Sequence, residues 1–266
     1  MKRTDLLWLA FILLITTAPL ALAQEGQFKH QEPSDATAYY YMGVEHFNSG
    51  RYKEAVEAYK RAISLKPDLA EAHNNLGATY RKLGWYKQAM ESFKRAIELK
   101  PEDAMAYSNL GCTYDDLGQY KDAIESYKRA IQLKSNNAGV FSNLAVTYRK
   151  LGRYKEAVES CKQAISLKPD LAEAHNNLGV TYYKMGRDRD AIESYKRAIS
   201  LEPDYAEAYF NLGVVYLAAE NRNAALEQYS TLKTLDQELA SEFFNMIYKG
   251  KVFSVIPKSK SWPLKP

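Results

Sequence analysis

Apolar residues recur every three or four positions along most of this chain, the period of an α-helix with one buried face. From residue 36 onward that pattern itself repeats every 34 residues. The units 36–69, 70–103, 104–137, 138–171, 172–205 and 206–239 fall in register without an insertion. A sixteen-residue string, "AISLKPDLAEAHNNLG", stands at Ala62–Gly77 and again, unchanged, at Ala164–Gly179, three units later. Positions four, seven, eight and eleven of each unit form the stripe of a first helix, for example Tyr107, Leu110, Gly111 and Tyr114. A second helix carries alanine at position twenty (Ala55, Ala89, Ala123, Ala157, Ala191, Ala225) and a ring or a thiol at position twenty-four (Tyr59, Phe93, Tyr127, Cys161, Tyr195, Tyr229). Small residues recurring on both helices predict that their backbones approach closely.

Turn residues separate the two helices. Gly50, Gly84, Gly118, Gly152 and Gly186 sit where a left-handed residue ends a helix. Pro67, Pro101, Pro169 and Pro203 close their units, and Asp68, Asp170 and Asp204 are the expected N-caps, each with a Glu three residues on.

Helix, glycine turn, helix, proline turn in steps of 34 resembles the tetratricopeptide repeat, and the resemblance covers residues 36–239. It implies an all-α, right-handed α-solenoid of six helix-turn-helix units, stacked because no unit buries its own stripe. Departures are local: Ser135 and Gln237 replace the proline, Ala145 replaces a glycine, and the sixth unit has Glu220 and Leu232 where Gly and Ala are expected. Asp236–Lys249 reads as a helix whose part beyond the last unit, 240–249, caps the stack with Phe243, Phe244, Ile247 and Tyr248. Residues 250–266, rich in lysine and proline and without a period, are expected to form a flexible basic tail.

The N-terminus follows a different pattern. Lys2 and Arg3 precede an apolar run from Leu6 to Ile15, then Pro19 and "ALA" at Ala21–Ala23. This order of charge, short apolar core and small-residue site is that of a secretory signal peptide, 1–23, followed by a polar lead-in, 24–35. The run is too short for the roughly 20 residues of a membrane span. The mature chain is therefore expected in the periplasm or secreted, with no integral span after cleavage. Cleavage would remove two cations and one anion, taking the formal net charge from +4 to +3. So small a charge implies no strong electrostatic partner. Export would put Cys112 and Cys161 where disulfides persist, but their different positions in the repeat argue against a bridge.

In the resemblance the first helices line a concave groove. Position six there holds Tyr41, then Asn75, Asn109, Asn143, Asn177 and Asn211. A carboxamide offers an acceptor and two donors, matching a peptide group, and ladders of this kind hold extended peptides in the family. The same asparagines are common in the repeat and can instead satisfy local polar groups. Tyr40, Tyr41 and Phe47 give an aromatic surface at one end. Positions twelve and thirteen add Arg81, Arg149, Lys150 and Lys184 around an acidic step at Asp115 and Asp116.

Sharper functions lack their residues. The two-carboxylate clamp of the family needs Lys at position five and Asn at position nine, where this chain has Tyr40, Asn74, Ser108 and Val44, Ala78, Cys112. The "YKRAI" phrase pairs Glu57 with Arg61 and Glu125 with Arg129 at helical ion-pair spacing, so it reads as a solvated face and not as a nucleic-acid site. No two histidines stand at ligand spacing, and Cys112, facing the groove, has no histidine beside it. The expectation is a non-enzymatic scaffold without metal or cofactor. Its partner would be a protein or peptide, and self-association is compatible with the pattern. The alternative is a spacer or assembly subunit of an envelope or secreted complex, acting through its convex face, its ends or its tail.

Overall fold

A computed structural model describes residues 35–134 and 136–249. The expected signal segment, most of the lead-in and the basic tail lie outside the described residues. Thirteen helices occur among those described. They are α1 (Ala36–Asn48), α2 (Tyr52–Leu65), α3 (Ala70–Lys82), α4 (Tyr86–Leu99), α5 (Ala104–Asp116), α6 (Tyr120–Leu133), α7 (Ala138–Lys150), α8 (Tyr154–Leu167), α9 (Ala172–Lys184), α10 (Asp188–Leu201), α11 (Ala206–Ala218), α12 (Arg222–Leu235) and α13 (Gln237–Lys249). Each odd helix up to α11 packs on the even helix that follows, and each even helix packs on the next odd one, so the molecule is an α-solenoid.

The turns follow from backbone sterics. Gly50, Gly84, Gly118, Gly152 and Gly186 all have φ between 70° and 76°, a region costly for residues with a Cβ. The sixth unit places Glu220 in the same conformation at φ 59°, which costs an L residue about 1–2 kcal/mol. The N-caps differ from expectation. Leu69, Leu171 and Tyr205 occupy those positions and make no side-chain cap. Asp68 falls one residue early, inside the turn that Leu69 N closes on Lys66 O at 3.2 Å. Asp103, placed one residue later in its own turn, does reach its helix, accepting from Met105 N at 2.9 Å and Ala106 N at 3.2 Å.

Position eight shows why the units are spaced as they are. A methyl built on Gly43, Gly77, Gly111 or Gly179 would fall 2.6–2.8 Å from the ring of Tyr59, Phe93, Tyr127 or Tyr195. Where the fourth unit has Ala145 instead of glycine, the facing residue is Cys161, fully buried and small. The two departures compensate each other.

The last unit shows the same logic. Gly213 is covered by Phe243 of α13, whose Cζ would lie 2.5 Å from an added methyl. Leu232 stands where other units have alanine because α13, not a seventh unit, lies over it; both Leu232 and Phe243 are fully buried. That helix, Gln237–Lys249, starts one residue inside the expected Asp236–Lys249, because the Asp236 carboxylate caps it through Glu238 N and Leu239 N, each at 2.9 Å. His73 and His175, at position four of their units, tie helix to turn: their ring nitrogens lie 3.1 and 3.0 Å from the carbonyl oxygens of Pro67 and Pro169. The expected Glu57–Arg61 and Glu125–Arg129 pairs are not formed among the described residues. Arg61 and Arg129 lie over the rings of Tyr39 and Tyr107 instead, at 5.8 and 5.9 Å.

Candidate functional site

Each odd helix up to α9 touches the next odd helix, whereas no two of α2, α4, α6, α8, α10 and α12 touch. The odd helices are therefore the more closely spaced set and form the inner, concave side of the curve.

Position six runs along that side, but its amides are not open. Asn75 Nδ2 donates to the Tyr40 hydroxyl at 3.2 Å, Asn109 Nδ2 to Asn74 Oδ1 at 3.1 Å, Asn177 Nδ2 to Ser142 Oγ at 3.0 Å and Asn211 Nδ2 to Asn176 Oδ1 at 3.0 Å. Each bond joins position six of one unit to position five of the unit before, 35 residues away. The amides form a seam that locks neighbouring helices, and Asn143, Asn177 and Asn211 are buried in it. Of the two uses left open for these amides, the local one is present: Asn75, Asn109, Asn177 and Asn211 each spend an amide hydrogen on the unit before.

The seam has one defect. Asn143 Nδ2 turns to Cys112 Sγ at 3.4 Å, and Ser108 Oγ, its expected acceptor, is left buried without a partner. Cys112 is consequently under the seam and not facing the groove. Both cysteines are free and buried. Burial pushes the Cys112 thiol up and the Cys161 thiol up to about 12, which holds both protonated and poorly nucleophilic. At the fifth unit the seam recruits Glu173, whose Oε1 accepts from Ser142 Oγ at 3.3 Å and Asn177 Nδ2 at 3.5 Å. Burial raises the Glu173 pKa, the two hydrogen bonds acting against it.

Charges at positions twelve and thirteen pair across the same 35-residue spacing. Arg81 Nε meets Asp116 Oδ2 at 2.6 Å, and Lys150 Nζ is bonded to Asp115 Oδ2, which sits beside the Thr147 hydroxyl. The acidic step is thus neutralised from both sides and does not present free carboxylates. Lys184 is exposed. Arg149 is part-buried, and its Nε has no hydrogen-bond partner among the described residues.

Of the aromatic end, Tyr41 is 64% exposed, while Tyr40 packs edge-on against it at 5.3 Å and Phe47 packs on Tyr52 at 5.5 Å. Only Tyr41 stands fully available. A separate open cleft of about 690 Å³ is lined by Tyr107, Tyr114, Lys121, Glu125 and Arg129, away from the seam. No group of His, Cys, Asp and Glu among the described residues has metal-site geometry, and no described helix is long and apolar enough to cross a membrane.

Asn74, Ser142, Asn176 and Glu173 belong to this face and were not singled out from the sequence. Their signal is legible once columns are compared at a spacing of 35 instead of 34.

A family model, the cilia and flagella-associated protein 70 C-terminal domain, matches residues 10–231. No curated protein matches the chain significantly. Among solved structures, MamA is similar at 29% identity and a TM-score of 0.56, over 60% of this chain and 94% of its own. YrrB, described as a TPR protein with an unusual peptide-binding site, is similar at 26% identity and a TM-score of 0.54, over 70% of this chain and 97% of its own. The Pseudomonas aeruginosa pilF structure shares the fold at 20% identity, with a TM-score of 0.68 over 79% of this chain and 97% of its own.

Proposed function

Because the chain belongs to the family described as the cilia and flagella-associated protein 70 C-terminal domain, a tetratricopeptide-repeat scaffold for protein interactions, we propose that it holds an extended segment of a partner protein in the groove lined by α1, α3, α5, α7, α9 and α11. The observation that carries this reading is the seam. It fixes six helices at one spacing before any ligand arrives, and Asn75 and Asn109, its part-buried members, each keep a second amide hydrogen for a peptide backbone. A groove ordered in advance loses little conformational entropy on binding. The peptide-binding description of YrrB supports the same reading. This reading gives the two thiols no nucleophilic role, burial holding both protonated. Export through residues 1–23 would place it in the periplasm or outside the cell.

Photocrosslinking tests the groove. A benzoylphenylalanine placed at Tyr41, Lys82 or Lys184, all exposed on odd helices, is expected to capture one shared partner segment in cells that make the full chain. The same group at Lys60, Lys128 or Lys196, exposed on even helices, is expected to capture none. Equal capture from the even helices would move the site to the outer face. A second reading, assembly through the C-terminal end, is favoured by Phe244 and Tyr248, which stack at 4.5 Å yet remain 40% and 52% exposed. Association lost in the Phe244→Ser, Tyr248→Ser variant and kept in groove variants would select it.

A further inference from the structure

Positions twelve and thirteen of successive units form a series of pairs 35 residues apart. Arg81 faces Asp116 and Asp115 faces Lys150, two pairs of opposite charge. The next pair in register is Arg149 with Lys184, two cations. Arg149 lies at the end of α7, part-buried, with its Nε enclosed and unpartnered among the described residues. It forms no ion pair among the described residues. Cys161, Tyr195, Tyr154 and Asp115 are the groups nearest in charge, and Asp115 is already bonded to Lys150 and Thr147. Arginine is almost never buried without a partner, because an uncompensated charge loses its hydration with nothing in return.

We propose that the junction of the fourth and fifth units binds a carboxylate of the partner, an Asp or Glu side chain of the groove-bound segment, between Arg149 and Lys184. The proposal rests on the groove reading above and names the chemistry of its ligand. The geometry is already present two units earlier, where Asp116 brings a carboxylate oxygen 2.6 Å from the Arg81 Nε. A guanidinium fork matches a carboxylate with paired N–H donors, and the Lys184 ammonium adds a point charge on the solvent side. Burial lowers the Arg149 pKa, a cost that a bound carboxylate would remove. Two cations flanked by a neutralised pair make a local site, not the continuous basic stripe that nucleic acid requires.

The test selects dodecapeptides from a random display library on the full chain. Selected peptides are expected to share one Asp or Glu at a fixed position. Changing it to Asn or Gln is expected to weaken binding about tenfold or more, the usual scale for a buried charge pair. Arg149→Gln should weaken the acidic peptide by the same factor and leave the amide peptide unaffected, so that the two changes together cost no more than either alone. Lys184→Asp, at an exposed position that does not endanger folding, supplies a resident carboxylate where Asp116 sits beside Arg81. It is expected to abolish selection for acid and to raise the melting temperature. Groove-crosslinking peptides with a neutral consensus would overturn this inference and leave the groove reading standing, whereas peptides that never crosslink to the groove would sink both. Inorganic phosphate or a phosphopeptide binding more tightly than the acidic peptide, or Arg149-dependent binding of a single-stranded DNA dodecamer, would overturn the carboxylate assignment.

Discussion

Exchanging the packing pair of one unit for that of another gives the most exacting test of the repeat's mechanics. Gly77→Ala would place a methyl 2.8 Å from Phe93 Cε1 and 2.9 Å from Cδ1, well inside the ~3.5–4.0 Å optimum for carbon contacts. Phe93 is fully buried, so the ring has no free space to enter. Overpacking of this kind costs about 1–3 kcal/mol, and the better helix propensity of alanine returns about 1 kcal/mol. A net loss on the order of 1 kcal/mol is expected. Phe93→Cys alone should cost about 3 kcal/mol or more, the low end of large-to-small changes at buried phenylalanines. The two together copy Ala145 and Cys161. The methyl then meets no ring and partly fills the hole, so the double variant should be about 2 kcal/mol more stable than the sum of the singles, a coupling typical of residues in direct contact. Urea titrations followed by circular dichroism at constant m-value would measure the four corners of the cycle. Additivity within about 0.5 kcal/mol would refute the claim that glycine and ring are one packing unit.

Two further outcomes follow from the seam. Ser108→Ala removes a buried hydroxyl that has no partner and should be neutral or stabilising, while Ser142→Ala strands Asn177 and Glu173 and should cost about 1–3 kcal/mol by the same titration; equal effects at the two serines would contradict the bonding pattern. Glu173 has a folded-state pKa raised by burial, so the stability it contributes is fully present below its unfolded pKa and is lost as pH rises through the folded value. Glu173→Gln, which keeps the accepting oxygen, should therefore melt above the wild type at pH 7 and close on it as pH falls toward 4, and a difference independent of pH would show that the carboxylate is not desolvated.

The fold was legible in the sequence because the repeat states each requirement several times over. A glycine at position eight opposite a ring at position twenty-four is a weak signal once and a strong one in Gly43, Gly77, Gly111 and Gly179 together. Even its exception was readable, since Ala145 and Cys161 depart in the same unit. The site was less legible. Asn75, Asn109, Asn143, Asn177 and Asn211 were found as a column, yet a column aligns equivalent positions of different units and does not say what touches what. Contacts across a junction run from position six to position five of the previous unit, an offset of 35. That offset joins four of the five amides into a seam, and turns Arg81 with Asp116 from a patterned surface into an ion pair.

The chain alone determined the unit length, the helix pairs, the left-handed glycines and the capping role of Phe243, since each follows from local sterics and from the periodicity of residues that must leave water. The stacking of one unit on the next decided which polar groups spend their hydrogen bonds on each other and which remain, because that depends on the offset at which two curved helices meet. Arg149 shows the difference: in sequence it repeats Arg81, but the residue 35 positions on is Lys184, and its Nε has no partner among the described residues where Arg81 is paired with Asp116.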